Sequence, residues 1–205
     1  VAWLLDHAPV DARWCLVHAT HMDADEYRRA AASGAVAGLC PTTEANLGDG
    51  IFDLPMWAAA GGAWGIGSDS HVCVNAAEEL LMLEYSQRLA TRQRNVAADA
   101  AQPQVATAMT LAAVQGGAQA AGRAIGGLAV GQQADFLVLD ATQLALAGLP
   151  APGMLASHVF ASQRTSAIDG VWVAGRACAS GGRHPLHDSA AAGFVAARRQ
   201  LLESE

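Results

Sequence analysis

The sequence lacks several features that mark particular classes of protein. No window reaches about 18 uninterrupted apolar residues, so no membrane span is predicted, although 52% of the residues are hydrophobic. The first residues carry no basic segment, which argues against a signal peptide, and no initiator methionine, so we expect a chain that begins mid-sequence. The formal net charge of −7 argues against a nucleic-acid partner and fits a cytoplasmic protein.

Closely spaced cysteines are also missing. The four cysteines lie far apart and form no C-x-x-C pair, so neither a disulfide framework nor a zinc site built from cysteines is expected. Reduced thiols in a cytosol are the expectation for such a chain. These residues are Cys15, Cys40, Cys73 and Cys178. The length of 205 residues suffices for one large domain, or for one domain with a smaller one.

Strands that alternate with helices dominate the first half of the chain. Short apolar runs predict buried strands at 13–18, 35–40 and 63–67. Asp23 and Glu26 form a capping-box pattern that predicts a helix after the first strand. A second helix is predicted over residues 52–60, and a long polar loop over residues 40–50. Because alternating strands and helices form parallel sheets, the sequence predicts an α/β fold.

The later segments differ in character. Two long helices are predicted over 76–95 and 105–121, with inward-facing apolar residues at Leu80, Leu81, Leu83, Leu89, Met109, Leu111, Ala112 and Val114. A turn-rich stretch then leads to a strand at 136–140, a hairpin or a single strand at 168–176, and a terminal helix at 187–202. We therefore predict two units, residues 1–122 and a small β unit with a C-terminal helix in residues 123–205.

Chemistry-bearing residues follow the predicted strands. His18 ends the first predicted strand, and Asp69, in the segment Trp64–His71, follows the third predicted strand. Imidazole and carboxylate are good ligands for a divalent ion such as zinc, but two groups are too few for a site, and a histidine that bonds backbone is the alternative. His71 either lines the same pocket or plays no part in it. Glu44 and Asn46 lie in the predicted loop. Each either has a functional role or forms hydrogen bonds that hold the loop, and for Asn46 we favour the loop-holding role.

Four stretches, taken together, resemble the amidohydrolase superfamily in its deaminase and chlorohydrolase branch. They are VHATH at 17–21, CPTTEANLGDG at 40–50, GSDSH at 67–71 and GLAVGQQADFLVLD at 127–140. The first three are most similar to the formimidoylglutamate deiminases of histidine degradation. The matches are spread over nearly the whole chain, and the last is similar to the segment where such chains return to a small β-sandwich domain.

This resemblance implies a (β/α)8 barrel with one zinc ion, a small-molecule substrate and a homodimer. His18 matches a catalytic histidine beside the substrate, and Asp69 matches an aspartate that is both a metal ligand and a proton acceptor. His71 is expected to bind substrate. The implied reaction is hydrolysis of a formimino C=N bond with release of ammonia, and zinc makes hydroxide available for it near neutral pH.

The sequence also departs from the family pattern. The early His-x-His pair and the His-x-x-Glu stretch are absent, and only 17 residues precede His18. A whole barrel needs about 250 residues. We therefore expect the C-terminal portion of such a barrel with part of the β-sandwich domain, most zinc ligands outside this sequence, weak metal binding and no turnover by this chain alone. The alternatives are another zinc deaminase, of the guanine or S-adenosylhomocysteine type, and a non-catalytic remnant.

Overall fold

The computed structural model describes residues 1–161 and 166–203. Its first half holds a three-stranded parallel sheet in the order β1-β2-β3, formed by Cys15–Val17, Val36–Leu39 and Trp64–Ile66. Leu16 is opposite Ala37, which in turn is opposite Trp64. The three predicted strands and their parallel pairing are confirmed, and each strand is shorter than its apolar run by two or three residues.

Helices cross over between these strands. Helix α1 is Ala2–His7, α2 is Ala24–Ala32, α3 is Pro41–Leu47 and α4 is Leu54–Ala59. The predicted capping box is present, because the Asp23 carboxylate accepts from the Glu26 N–H at 2.8 Å and Glu26 accepts from the Asp23 N–H at 2.8 Å. These two bonds satisfy N–H groups that a helix leaves unpaired at its first turn.

The prediction of a long polar loop over residues 40–50 was wrong. Most of that segment is helix α3, which begins with Pro41 and ends at Gly48 in the left-handed conformation. Proline suits the first helical position because its missing N–H has no partner there, and glycine suits the left-handed cap. Thr42, Thr43 and Glu44 are buried in this helix, so the polar composition reflects buried hydrogen bonds rather than solvent exposure.

Three aromatic rings form the centre of the core beneath α2 and α4. Tyr27, Phe52 and Trp57 meet edge to face, with ring centroids 5.2–6.4 Å apart. The polar atoms of two rings are satisfied, since the Tyr27 hydroxyl accepts from the Asp53 N–H at 2.8 Å and the Trp57 indole donates to the Ala63 carbonyl at 3.0 Å. Packing within this cluster fixes the position of α4, from which the chain continues into β3.

Two long helices follow the sheet, α5 at Ala76–Thr91 and α6 at Val105–Ala121, close to the predicted bounds. Leu80, Leu83 and Met109 are buried as predicted. The inward placement of the remaining apolar residues was wrong for Leu89, Leu111 and Val114, which are exposed. The buried face of α5 instead includes polar residues that bond to other segments of the chain, and these are Glu79, Glu84 and Gln87.

Glycines bring α6 against the sheet. A Cβ on Gly116 would lie 1.9 Å from the Trp64 carbonyl oxygen, and a Cβ on Gly65 would lie 3.0 Å from the Gly117 nitrogen. Helix and strand backbones therefore touch at this point, which only residues without a side chain allow. The contact positions β3, and β3 leads directly to Asp69.

The later part of the chain holds a second sheet, which is antiparallel and ordered β4-β5-β6. Its strands are Phe136–Leu139, Ile168–Val173 and Arg176–Ala179. The predicted strand at 136–140 is confirmed, and of the two alternatives for 168–176 the structure has the hairpin. The hairpin turns at Ala174 and Gly175, both with positive φ. Phe136 stacks on Trp172 across two strands, with ring centroids 4.9 Å apart.

Two further helices belong to this part of the chain, one between β4 and β5 and one after β6. Helix α7, Ala151–Phe160, was not predicted; it packs against α5 and α6, with Val159 buried and Phe160 stacked on Tyr85. Helix α8, His187–Glu203, confirms the predicted terminal helix and is exposed along its length. Within the described residues, no helix has both the length and the apolar content that crossing a bilayer requires.

Candidate active site

The carboxyl ends of the three parallel strands bring together a histidine, a cysteine and an aspartate. His18 directly follows β1, Cys40 directly follows β2, and Asp69 comes three residues after β3. One imidazole nitrogen, the sulfur and one carboxylate oxygen all lie within 4.8 Å of one another. His18 and Asp69, which the sequence predicts at one edge of the sheet, therefore meet there, and Cys40 joins them.

The His18 ring lies between two carboxylates. Its Nε2 is 3.2 Å from Asp69 Oδ2, and its Nδ1 is 3.3 Å from Glu44 Oε1. A neutral imidazole carries one N–H and can donate to only one of these oxygens. The second contact is satisfied by a further proton, on the ring or on one of the carboxylates, or by a cation that both atoms bind. This arrangement can therefore hold a proton or a metal ion at a defined place.

The backbone at this site is strained. His18, Ala19 and Asp69 have φ values of 64°, 49° and 50°, in the left-handed region that residues other than glycine rarely adopt. Such conformations cost about 1–3 kcal/mol each and cluster at functional sites, where the surrounding structure holds them. The backbone at His18 and Asp69 is thus held in this conformation by the rest of the fold, at a cost in stability.

Glu44, whose role the sequence left open between function and holding a loop, also belongs to this site. It is only 4% exposed, and its Oε1 accepts from the Cys40 backbone N–H at 2.8 Å as well as facing His18. Burial is the main reason that the Glu44 pKa is raised. A buried carboxylate against Nδ1 fixes the orientation of the imidazole ring and leaves Nε2 toward Asp69.

Cys40 is a buried thiol beside these groups. It is 6% exposed, and a Cβ on Gly67 would lie 3.8 Å from its sulfur, which places the thiol between the ends of β2 and β3. Burial first, and then the negative charges of Glu44 and Asp69, raises the Cys40 pKa to about 11. Without a cation the thiol is therefore protonated and unreactive near neutral pH.

Helix α3 connects this site to the rest of the fold. The Thr43 hydroxyl donates to the Ser68 carbonyl at 2.7 Å and so restrains the loop that carries Asp69. The Thr42 N–H donates at 3.0 Å to Glu79 of α5, and the Thr42 hydroxyl donates to the same carboxylate. Because these groups are buried, their hydrogen bonds are costly to break, and they hold the site rigidly.

The other histidines near the site make different contacts. His71 Nδ1 accepts from the Cys73 N–H at 3.2 Å, and the ring is partly exposed on the loop after Asp69. Its predicted role in substrate binding stays a prediction. His21 is exposed, and its ring approaches Gly50 rather than the cluster.

Comparison with known proteins defines the class to which this site belongs. Residues 4–178 match the model of the amidohydrolase family, and the chain belongs to that family. It is 49% identical over 201 residues to a formimidoylglutamate deiminase of Pseudomonas aeruginosa, across 98% of this chain and 44% of that protein. It is also 31% identical to an 8-oxoguanine deaminase of the same species, over 66% of this chain and 29% of that protein. The predicted family and the α/β domain are thus confirmed.

Solved structures show the same relationship. An amidohydrolase from Brucella melitensis superimposes with a TM-score of 0.88 at 46% identity, over 98% of this chain and 44% of that one. An adenosine deaminase from Xanthomonas campestris with bound zinc superimposes with a TM-score of 0.77 at 25% identity, over 95% of this chain and 43% of that one. The chain spans less than half the length of these relatives.

Proposed function

We propose that this chain contributes to the active site of a metal-dependent hydrolase that converts N-formimidoyl-L-glutamate to N-formyl-L-glutamate and ammonia. The observation that carries the proposal is the 49% identity to a formimidoylglutamate deiminase over 98% of the chain. The contact between His18 and Asp69 at the carboxyl edge of a parallel sheet supports it, because α/β enzymes place their catalytic groups at this edge. The chain spans only part of its relatives, so the activity is assigned to the whole protein that contains it.

In this proposal, the two contacting side chains handle protons and charge. The oxygen of a water molecule bonds to the formimino carbon, and Asp69 accepts the proton that this water loses. His18 donates a hydrogen bond to the negative charge that develops on the reacting group. The terminal nitrogen takes up the proton from Asp69, and the second proton comes from the hydroxyl group now bonded to the carbon. As that hydroxyl becomes the formyl carbonyl, the bond from the carbon to the terminal nitrogen breaks and the nitrogen leaves as ammonia. Glu44 keeps the His18 ring oriented throughout.

Zinc fits the donor groups at this site. The Asp69 carboxylate is one of the usual ligands of zinc, and its contact with His18 Nε2 at 3.2 Å places the catalytic histidine beside it. Asp69 would hold the ion together with ligands from outside this sequence, and the ion would supply a water molecule of lowered pKa. Zinc in the adenosine deaminase of Xanthomonas campestris supports this assignment.

The wider architecture that we propose is a portion of a (β/α)8 barrel followed by a smaller unit. The parallel order β1-β2-β3 supports the barrel portion in residues 1–122, and the antiparallel order β4-β5-β6 supports part of a β-sandwich in residues 123–205. Helix α7 belongs to the second range by sequence yet packs on α5 and α6 of the first. We propose that this portion is the C-terminal one, and that the complete protein is a cytoplasmic homodimer.

The similarity to an 8-oxoguanine deaminase favours deamination of a ring amine as the second candidate. We would measure ammonia release by the longest polypeptide that the gene encodes, with formimidoylglutamate, guanine, 8-oxoguanine and S-adenosylhomocysteine as substrates. Turnover of formimidoylglutamate alone supports the proposal, and turnover of a purine supports the alternative. No turnover of any of these substrates would refute both candidates and favour a non-catalytic remnant.

Variants in the same assay test the residue roles. His18→Ala and Asp69→Asn should each lower kcat at least about 100-fold, the usual effect of removing a group that transfers or stabilises a proton. The control is His21→Ala, because His21 is exposed and lies outside the cluster. Retention of full activity in either of the first two variants would refute the corresponding role. The 205-residue chain alone is expected to release no ammonia.

A further inference from the structure

Cys40 has no part in the proposed hydrolysis, yet its thiol lies beside both side chains that do. The sulfur, a nitrogen of His18 and a carboxylate oxygen of Asp69 lie within 4.8 Å of one another. The three residues come from the ends of three different strands, so the sheet itself fixes their spacing. Sulfur, imidazole nitrogen and carboxylate oxygen are together the ligand set of protein sites for zinc and softer divalent ions.

We infer that His18, Cys40 and Asp69 form a binding site for a thiophilic divalent cation, such as Cd²⁺ or excess Zn²⁺, and that an ion bound there blocks the reactive groups. The inference goes beyond the proposed function, because it needs a cysteine ligand that the hydrolysis does not use. It needs no residue from outside this chain, since all three ligands are present.

Geometry supports three-point ligation. The His18–Asp69 pair, 3.2 Å apart, already matches one edge of a tetrahedral site. In such a site the sulfur lies about 3.6 Å from each of the other two ligands. The present spread, within 4.8 Å, therefore requires a closure of about 1 Å on binding. The Glu44 carboxylate, 3.3 Å from Nδ1, completes the carboxylate–histidine–metal arrangement that holds metal-binding imidazoles.

Binding of the cation releases one proton. The Cys40 thiol loses its proton to solvent as the sulfur bonds to the cation, which is the usual course of thiol ligation. The cation takes the lone pair of His18 Nε2 and one oxygen of Asp69. Neither group can then accept a proton from water or donate to a substrate, so the occupied site is inactive. Because burial excludes competing water from the sulfur, we expect the site to prefer soft ions over Mg²⁺.

Cobalt binding by the purified 205-residue chain tests the site directly. Cobalt(II) bound to a thiolate absorbs in the near ultraviolet, so a titration reports both affinity and the sulfur ligand. We expect a charge-transfer band that saturates at one equivalent and that Cd²⁺ abolishes by displacement. Cys40→Ser should remove the band, whereas Cys73→Ser, which changes an exposed thiol near His71, should leave it intact.

A second variant keeps the test decisive if Cys40→Ser does not fold. Asp69→Asn retains the thiol and should weaken cobalt binding at least about tenfold, the smallest usual effect of perturbing a metal site. No band, a band lost in Cys73→Ser, or unchanged affinity in Asp69→Asn would overturn the inference. Cobalt binding is measured independently of ammonia release. A negative cobalt result therefore does not contradict the proposed hydrolysis, and absence of hydrolysis does not contradict the cation site.

Discussion

Two neighbouring glycines on helix α6 allow a sharp test of how the sheet that carries the site is held. A Cβ on Gly116 would lie 1.9 Å from the Trp64 carbonyl oxygen and 2.3 Å from its carbon, whereas a Cβ on Gly117 would meet nothing within 4 Å. Ordinary contacts between carbon and a carbonyl oxygen are about 3.3–3.6 Å long. Gly116→Ala must therefore move α6 away from β3 by about 1.5 Å, because the obstacle is backbone and cannot rotate away.

The two alanine variants should have opposite effects on stability. Gly116→Ala should cost about 1–3 kcal/mol through overpacking, and Gly117→Ala should gain about 0.5–1 kcal/mol through helix propensity. A typical urea dependence of about 2 kcal/mol per molar then separates their unfolding midpoints by roughly 1–2 M. Equal midpoints, or a higher midpoint for Gly116→Ala, would refute the backbone contact between α6 and β3. Gly117→Ala is the matched control, since it changes the same residue type one position away.

Two further substitutions test local features near the site and at helix α2. Ala19→Gly should raise the free energy of unfolding by about 0.5–1 kcal/mol, because glycine relieves the strain of a φ of 49°. The control Ala120→Gly, on an exposed part of helix α6, should lower the free energy of unfolding. A lower free energy of unfolding in Ala19→Gly would argue against the strained backbone. The Glu26 pKa is lowered to about 2 by the backbone N–H groups of Ala2 and Asp23. Ionised Glu26 therefore stabilises the fold above its ordinary pKa of 4.5, and this stabilisation is lost as the pH falls through the folded-state pKa. The midpoint difference between wild type and Glu26→Gln should shrink as the pH falls from about 5 toward about 2; a constant difference would contradict this.

The strands and the meeting of His18 with Asp69 could be predicted, because both follow from local pattern and topology. Short apolar runs between helices predict parallel strands, and parallel strands end at a common edge. Cys40 was missed and the role of Glu44 was left open, for different reasons. A cysteine at the end of an apolar run cannot be told from a core residue. Glu44 was placed in a loop, although Pro41 and Gly48 are the start and stop signals of a short helix.

Burial on the long helices could not be predicted from apolar periodicity alone. Helix α5 turns Glu79, Glu84 and Gln87 inward because their side chains accept or donate hydrogen bonds to backbone of other segments. Leu89, two positions beyond Gln87, consequently faces solvent. A hydrophobic pattern cannot reveal this arrangement, since the partners are distant in sequence. Helix α7 escaped prediction for the related reason that its inner face forms only against α5 and α6.

Glu44 offers the clearest separation of a positioning role from a structural one. Its Oε1 accepts from the Cys40 N–H and faces His18 Nδ1, so one oxygen serves both neighbours. Glu44→Gln retains a carbonyl oxygen of the same reach, and it removes a buried charge whose ionisation burial already disfavours. The unfolding midpoint should therefore stay the same or rise. Glu44→Ala should instead cost about 2–4 kcal/mol, because it leaves a cavity and an unpaired buried N–H.

Function should respond differently from stability, because Glu44→Gln keeps the fold and removes only the charge. Without the carboxylate, the amide no longer stabilises a protonated or metal-bound His18 ring, and metal affinity or activity should fall about 10–100-fold in Glu44→Gln. Cobalt affinity of the chain and kcat/KM for ammonia release by the whole protein both measure this loss. A stable Glu44→Gln variant with unchanged cobalt affinity and kcat/KM would show that Glu44 only ties α3 to the end of β2. A stable variant with impaired binding or turnover would show that its charge acts through His18.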